Sequence, residues 1–223
     1  MRFTRHPKSG IIWCVKMTVI ESIEERFKEV TGLTHLDLST PHFQKGENQQ
    51  QATTKEEYKK FGFVTTPLWL VDKMLEPHIP NLTLTSTTCD ACAGCGQFTI
   101  RLMRKLYNRF RDMGVVKEKL DCWIEKVWLQ KQHWFTEFQF SNVAKLVYIF
   151  GPTINVYVGD SLNMKYAKEN EKGLLFFNEK RKEWLNIPNL YPELEKRKDN
   201  LSDLITFFGV LESAWNKINT MKN

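Results

Sequence analysis

The sequence predicts an α/β protein built on a partial parallel sheet. Three observations lead there. Three apolar strand patterns end on acidic residues, at Asp90, Glu137 and Asp160. Two stretches of helical periodicity lie between those strands. Strands alternating with helices imply right-handed crossovers, which bring successive strands parallel.

The elements follow in chain order. Residues 1–16 begin with a basic stretch, and their short apolar run 11–15 is broken by Lys16, too early for a secretory signal. Residues 17–30 form an amphipathic helix, with Val19, Ile23, Phe27 and Val30 on one stripe and Gly32 as its stop. The polar run 34–54, with "KGENQQQATT" at its centre, reads as a linker or mobile arm. In "LTLTSTTCD" (82–90) leucines alternate with threonines, as in a strand. Phe98, Leu102, Leu106 and Phe110 then recur every four residues, giving a helix with a basic outer face of Arg101, Arg104, Lys105, Arg109 and Arg111. "HWFTE" (133–137) is the second strand, residues 140–151 the second helix, and "TINVYVGDSL" (153–162) the third strand. "GLLFFNEKRKEWLNI" reads as a hairpin around a charged turn. Residues 201–219 form a C-terminal amphipathic helix. The divisions are therefore 1–55 (helix and linker), 56–168 (core) and 169–223 (hairpin and helix).

Composition narrows the classes. With 42% hydrophobic and 13% aromatic residues, the chain is not disordered. A net charge of +6 permits a polyanionic partner without establishing one. No run approaches a membrane span, and five cysteines, an odd number, suit free thiols in a reducing cytoplasm.

Three of those cysteines raise the question of a metal. Cys89, Cys92 and Cys95 match the first three positions of a ferredoxin run, but the fourth falls on Thr99 with no proline after it. No metal is expected. The competing reading is a ligand turn: a strand ending in an acid, then Gly94 and Gly96, then a helix N-terminus.

Here the chain resembles a known family. Asp90-Ala-Cys-Ala-Gly-Cys-Gly-Gln-Phe98 is similar to the D-P-x-A/C-G-x-G-x-F signature of S-adenosylmethionine-dependent DNA methyltransferases, particularly the N6-adenine enzymes of restriction systems and phages. Ala91 replaces the family's proline. "FGFVTTP" (61–67) resembles the family's F/Y-G-x-x-x-T-P segment, which lies against the methionine end of the cofactor. The resemblance covers roughly residues 56–165. It implies a Rossmann-like class I methyltransferase fold and S-adenosylmethionine as cofactor. Thr66, Pro67, Asp90, Ala91, Cys92, Ala93, Gly94 and Gly96 would then form the cofactor site. Glu137 stands where the family has an acid for the ribose hydroxyls, and Asp160 with Ser161 where the adenine amine is met. It further implies DNA as partner and a bacterial or phage-infected host cell as the setting.

One element of that family is missing. No N-P-P-Y or D-P-P-Y motif, which holds the target adenine, occurs in the chain. Asn178 is followed by Glu-Lys-Arg, and "IPNLYP" (187–192) has the residue types in the wrong order. Too few residues follow Asp160 for the remaining strands of a catalytic core. No catalytic residue is therefore assigned. The expectation is a cofactor-binding half completed by a second polypeptide, or a methyltransferase-like protein without catalysis.

Overall fold

The computed structural model describes residues 2–5, 12–15, 17–40, 43–61, 64–159, 161, 174–178, 183–186 and 191–220. Strands β1 (Arg2–Arg5) and β2 (Ile12–Val15) pair antiparallel at the N-terminus. Helix α1 (Val19–Thr31) starts where Thr18 and Glu21 cap each other. Thr18 Oγ1 accepts the Glu21 amide at 3.1 Å and Glu21 Oε2 accepts the Thr18 amide at 2.8 Å. Gly32, at φ 73°, ends it. The buried stripe is Ile20, Ile23 and Phe27, with Val19 and Val30 half-buried beside it.

The polar segment after α1 is packed rather than loose, which corrects the expected linker. Leu33, Leu38 and Gln49 are buried. The Gln49 carbonyl accepts the Leu68 amide at 3.3 Å, and its Oε1 accepts the Trp69 amide at 2.8 Å. These are the first amides of α3 (Leu68–Leu75), which follows the short α2 (Lys55–Phe61) and opens directly after Pro67. A polar composition does not reveal that one glutamine satisfies a helix end that would otherwise be orphaned.

Strand β3 is only Thr88–Asp90, shorter than the leucine–threonine alternation predicts. The carbonyls of Leu82 and Leu84 are taken by side chains instead of a ladder: Arg109 donates to Leu82, and Trp123 and Gln132 donate to Leu84. Helix α4 (Gln97–Asp112) follows, then α5 (Lys117–Trp123), which widens into a π-helical stretch at Ile124–Gln132. Next come β4 (His133–Glu137), α6 (Phe140–Phe150) and β5 (Asn155–Val158). Strands β6 (Leu174–Asn178) and β7 (Glu183–Asn186) form the expected hairpin. Helices α7 (Tyr191–Arg197) and α8 (Leu201–Thr220) close the chain.

The sheet order is β3-β4-β5-β6-β7, parallel from β3 to β6, with β7 antiparallel. This is an α/β arrangement compatible with a partial Rossmann-like fold. Register aligns the carboxyl ends: Asp90 lies opposite Phe135, and Glu137 opposite Val158. Phe135, Val156, Ile100 and Leu146 are fully buried in the core, which α1 enters through Phe27 and α8 through Leu204 and Phe208. Among the described residues, no helix is long and apolar enough to cross a membrane.

The expected basic outer face of α4 is also corrected. Arg101 is 1% exposed; its guanidinium pairs with both oxygens of Asp72 at 3.0 Å and donates to the Leu38 carbonyl at 2.6 Å. Lys105 joins Asp72 at 3.3 Å. Arg104, also buried, forks onto Glu24 at 2.7 and 2.6 Å. Arg109 donates to the carbonyls of Ile79, Pro80 and Leu82. Only Arg111 of the five is well exposed, and it lies against Asp112. Helices α1 and α3 pack on α4 and bring acids with them, so most of its cations face protein. The charged turn of the hairpin, 179–182, lies outside the described residues.

Candidate functional site

The carboxyl edge of the sheet gathers most of the residues singled out from sequence. Asp90 closes β3, and the turn Ala91–Gly96 carries the chain into α4. Gly94 and Gly96 have φ of 52° and 82°, the left-handed region that glycine enters without strain. Gly96 is further constrained by space. A Cβ there would stand 2.5 Å from Phe150 Cε2, so the turn lies directly on α6.

Two carboxylates pin this turn. Asp90 Oδ2 accepts the Thr99 hydroxyl at 2.9 Å. One side chain thus ties the end of β3 to the first turn of α4. Glu137, closing β4, holds the middle: its Oε2 accepts the Gly94 amide at 2.7 Å. Its Oε1 accepts the Gln139 amide at 2.8 Å and Asn142 Nδ2 at 3.4 Å. The Ala93 amide goes to the Thr136 carbonyl at 3.0 Å and the Gly96 amide to Ala93 at 2.6 Å.

Burial pushes both carboxyls above their usual range, and the hydrogen bonds oppose that push. For Asp90 the opposing groups are Thr99 and the Cys92 amide. For Glu137 they are the amides of Gln139 and Gly94 and the Asn142 side chain.

The cysteines take separate paths. Cys89 and Cys92 are exposed, whereas Cys95 is buried and its thiol donates to Gln51 Oε1 at 2.7 Å. Cys92 Sγ lies 3.6 Å from Ser161 Oγ, which joins the turn after β3 to the chain just beyond β5. Among the described residues, no group of three or more His, Cys, Asp or Glu could hold a metal ion.

Thr66 and Pro67 are half-buried. Their neighbour Thr65 donates to the Gln51 carbonyl at 2.6 Å, and Gln51 in turn meets Cys95. The segment is thereby anchored beside the glycine turn. Asp160 lies outside the described residues.

Four further residues belong to the site, and sequence reasoning missed them. Thr99 and Thr136 bind the Asp90 carboxylate and the Asp90–Ala91 backbone. His133 is buried against Trp128, ring centroids 4.6 Å apart and nearly parallel, with its Nε2 2.9 Å from Thr99 Oγ1. Phe138, directly after Glu137, is 62% exposed at the carboxyl edge. A large exposed aromatic beside a strand-end acid was the one signal available in the sequence; the other three look like ordinary strand and helix residues.

A cavity of about 470 Å³ lies at the opposite, amino end of the sheet, lined by Arg26, Lys126, Glu125, Asp199 and Thr153 among others. Its mixed charges select no single sign of ligand. Fold and site together define an α/β frame with a glycine turn at a strand end. No family model, curated protein or solved structure matches the chain.

Proposed function

We propose that this chain is the S-adenosylmethionine-binding part of a DNA adenine-N6 methyltransferase whose acceptor-binding motif belongs to a second polypeptide. The observation that carries the reading is where the turn's amides go. A phosphate-binding turn offers free amides at a helix N-terminus. Here the amides of Ala93, Gly94 and Gly96 are already bonded to the Glu137 carboxylate and to carbonyls. The edge therefore carries two strand-end carboxylates, and the middle of the turn is closed to a phosphate. That favours a ligand with a sulfonium and an ammonium over one bearing phosphates.

The residues present fit such a ligand. Asp90 lends negative charge near the sulfonium and shapes the turn against which the methionine end would lie, beside Thr66 and Pro67. Glu137 Oε1 holds two protein donors and Oε2 one, and a ribose hydroxyl would bond at Oε2. Phe138 offers a face on which a purine stacks. Asp160 and Ser161 are the proposed partners of the adenine amine. When bound, the cofactor supplies an electrophilic methyl group.

The acceptor side is left to a partner. Asn178 closes the parallel strand β6 on the same edge, but β6 is three strands from β3, about 14 Å away at normal strand spacing. It is too distant to present an adenine to a ligand on the β3 turn. The outer edge of β3 pairs with no strand among the described residues, and that edge is where a completing strand would add. A non-catalytic cofactor-binding module is the second reading. The inward-facing arginines of α4 favour it, because they leave that helix without the basic outer face that DNA would contact.

Calorimetric titration of the full chain with S-adenosylmethionine tests the first claim, and absence of binding refutes it. Methyl incorporation into DNA by the chain alone would refute the missing acceptor site. Incorporation only after a second polypeptide carrying N-P-P-Y is added would separate the first reading from the second.

A further inference from the structure

Behind the ligand edge runs a buried line of polar atoms that no step above requires. Thr88 Oγ1 lies 2.8 Å from His133 Nδ1. His133 Nε2 lies 2.9 Å from Thr99 Oγ1, and Thr99 Oγ1 lies 2.9 Å from Asp90 Oδ2. Thr99 is 0% and His133 1% exposed, so water does not complete these bonds. His133 is held in its plane by Trp128 stacked on one side and by the edge of Phe135, at 4.6 Å and 89°.

The donors and acceptors along this line admit one order when Asp90 is ionised. A carboxylate only accepts, so the single Thr99 hydroxyl proton goes to Asp90. Thr99 Oγ1 must then accept from His133, which puts the imidazole proton on Nε2. Nδ1 is left as an acceptor, and Thr88 donates to it. Three groups on β3, α4 and β4 thus share one proton order, and its terminus is the acid at the ligand edge.

We propose that Thr99 and His133 are positioning residues for Asp90: the donor chain Thr88 to His133 to Thr99 to Asp90 fixes the Asp90 carboxylate and locks His133 as the neutral Nε2–H tautomer. The chain rests on the reading of Asp90 as an acid of the ligand site only for its consequence on binding; the proton order stands without it. A side chain that merely filled the core would set no tautomer. A valine at position 99 keeps the shape of threonine but removes both the donor to Asp90 and the acceptor for Nε2.

The test is a long-range proton–nitrogen correlation on the 15N-histidine-labelled full chain at neutral pH, with titration of S-adenosylmethionine into the same samples. Wild type is expected to show His133 with pyrrole-type Nε2 and pyridine-type Nδ1. Thr99→Val is expected to lose that single tautomer and to weaken cofactor binding about tenfold. Thr99→Ser, which keeps the hydroxyl, is expected to restore both. A wild-type Nδ1–H tautomer overturns the proposal, because it reverses the chain and places the proton on Asp90. An unchanged tautomer and unchanged affinity in Thr99→Val overturn it as well. If Thr99→Val does not fold, the wild-type tautomer and the Thr99→Ser spectrum decide. If wild type shows the Nε2–H form but binds no S-adenosylmethionine, the proton order stands and the cofactor reading fails.

Discussion

Replacing His133 with glutamine should remove a specific part of the protein's acid sensitivity. Full burial lowers the His133 pKa from 6.5 to about 3. The unfolded chain therefore binds a proton between those values that the folded chain refuses. The sign follows directly: this histidine favours the folded state fully above pH 6.5, and that contribution is lost as pH falls toward 3. The gap amounts to about 5 kcal/mol in all, of which about 2–3 kcal/mol falls between pH 6 and pH 4. Asp90 and Glu137 act the other way, because burial raises their pKa values, so folding holds their protons more tightly as pH falls. Those two acids are common to both proteins and largely cancel in the difference. Urea unfolding of wild type and His133→Gln at pH 7.5, 6, 5 and 4 reads this directly. The variant should be less stable at pH 7.5 and should lose less stability than wild type on acidification. Parallel curves for the two proteins would refute a buried neutral imidazole at this position.

Other substitutions check the framework around the site. Thr18→Ala should cost about 1 kcal/mol in urea melts, because it opens the cap of α1. Gly96→Ala should cost 2 kcal/mol or more on the order of the usual strain and overpacking terms, since its φ is left-handed and its Cβ meets Phe150. Asp72→Ala should destabilise by about 3–5 kcal/mol by leaving Arg101 buried without its partner, whereas Arg111→Ala should change stability by less than about 0.5 kcal/mol. Thiol labelling of the native chain should modify Cys89, Cys92 and Cys122 and spare Cys95 until the protein unfolds.

Periodicity made the frame legible. The strand at 133–137, helix α6, the C-terminal hairpin and α8 all follow patterns of period two or 3.6 that tertiary contacts do not override. Where sequence reasoning failed, the cause was long-range pairing. The arginines of α4 have helical spacing on what looks like an outer face, but Asp72 and Glu24 reach them from α3 and α1. Gln49 lies in a polar run, yet it caps a helix 20 residues away. Leu82 and Leu84 alternate as a strand does, but side chains of α4, α5 and the π-helical stretch claim their carbonyls. At the site, Asp90 and Glu137 were legible as strand-end acids. Their use as clasps on the glycine turn was not, because that depends on the aligned register of β3 and β4. Thr99 and His133 carried no local signal at all.

The central claim is that the carboxyl edge takes a cationic, phosphate-free nucleoside ligand. Equilibrium titration of the full chain with S-adenosylmethionine and, separately, with ATP and NAD tests it most directly. Saturable binding of S-adenosylmethionine at micromolar concentration, with neither phosphate-bearing nucleotide binding, is the predicted result. Binding of ATP or NAD without binding of S-adenosylmethionine would contradict it.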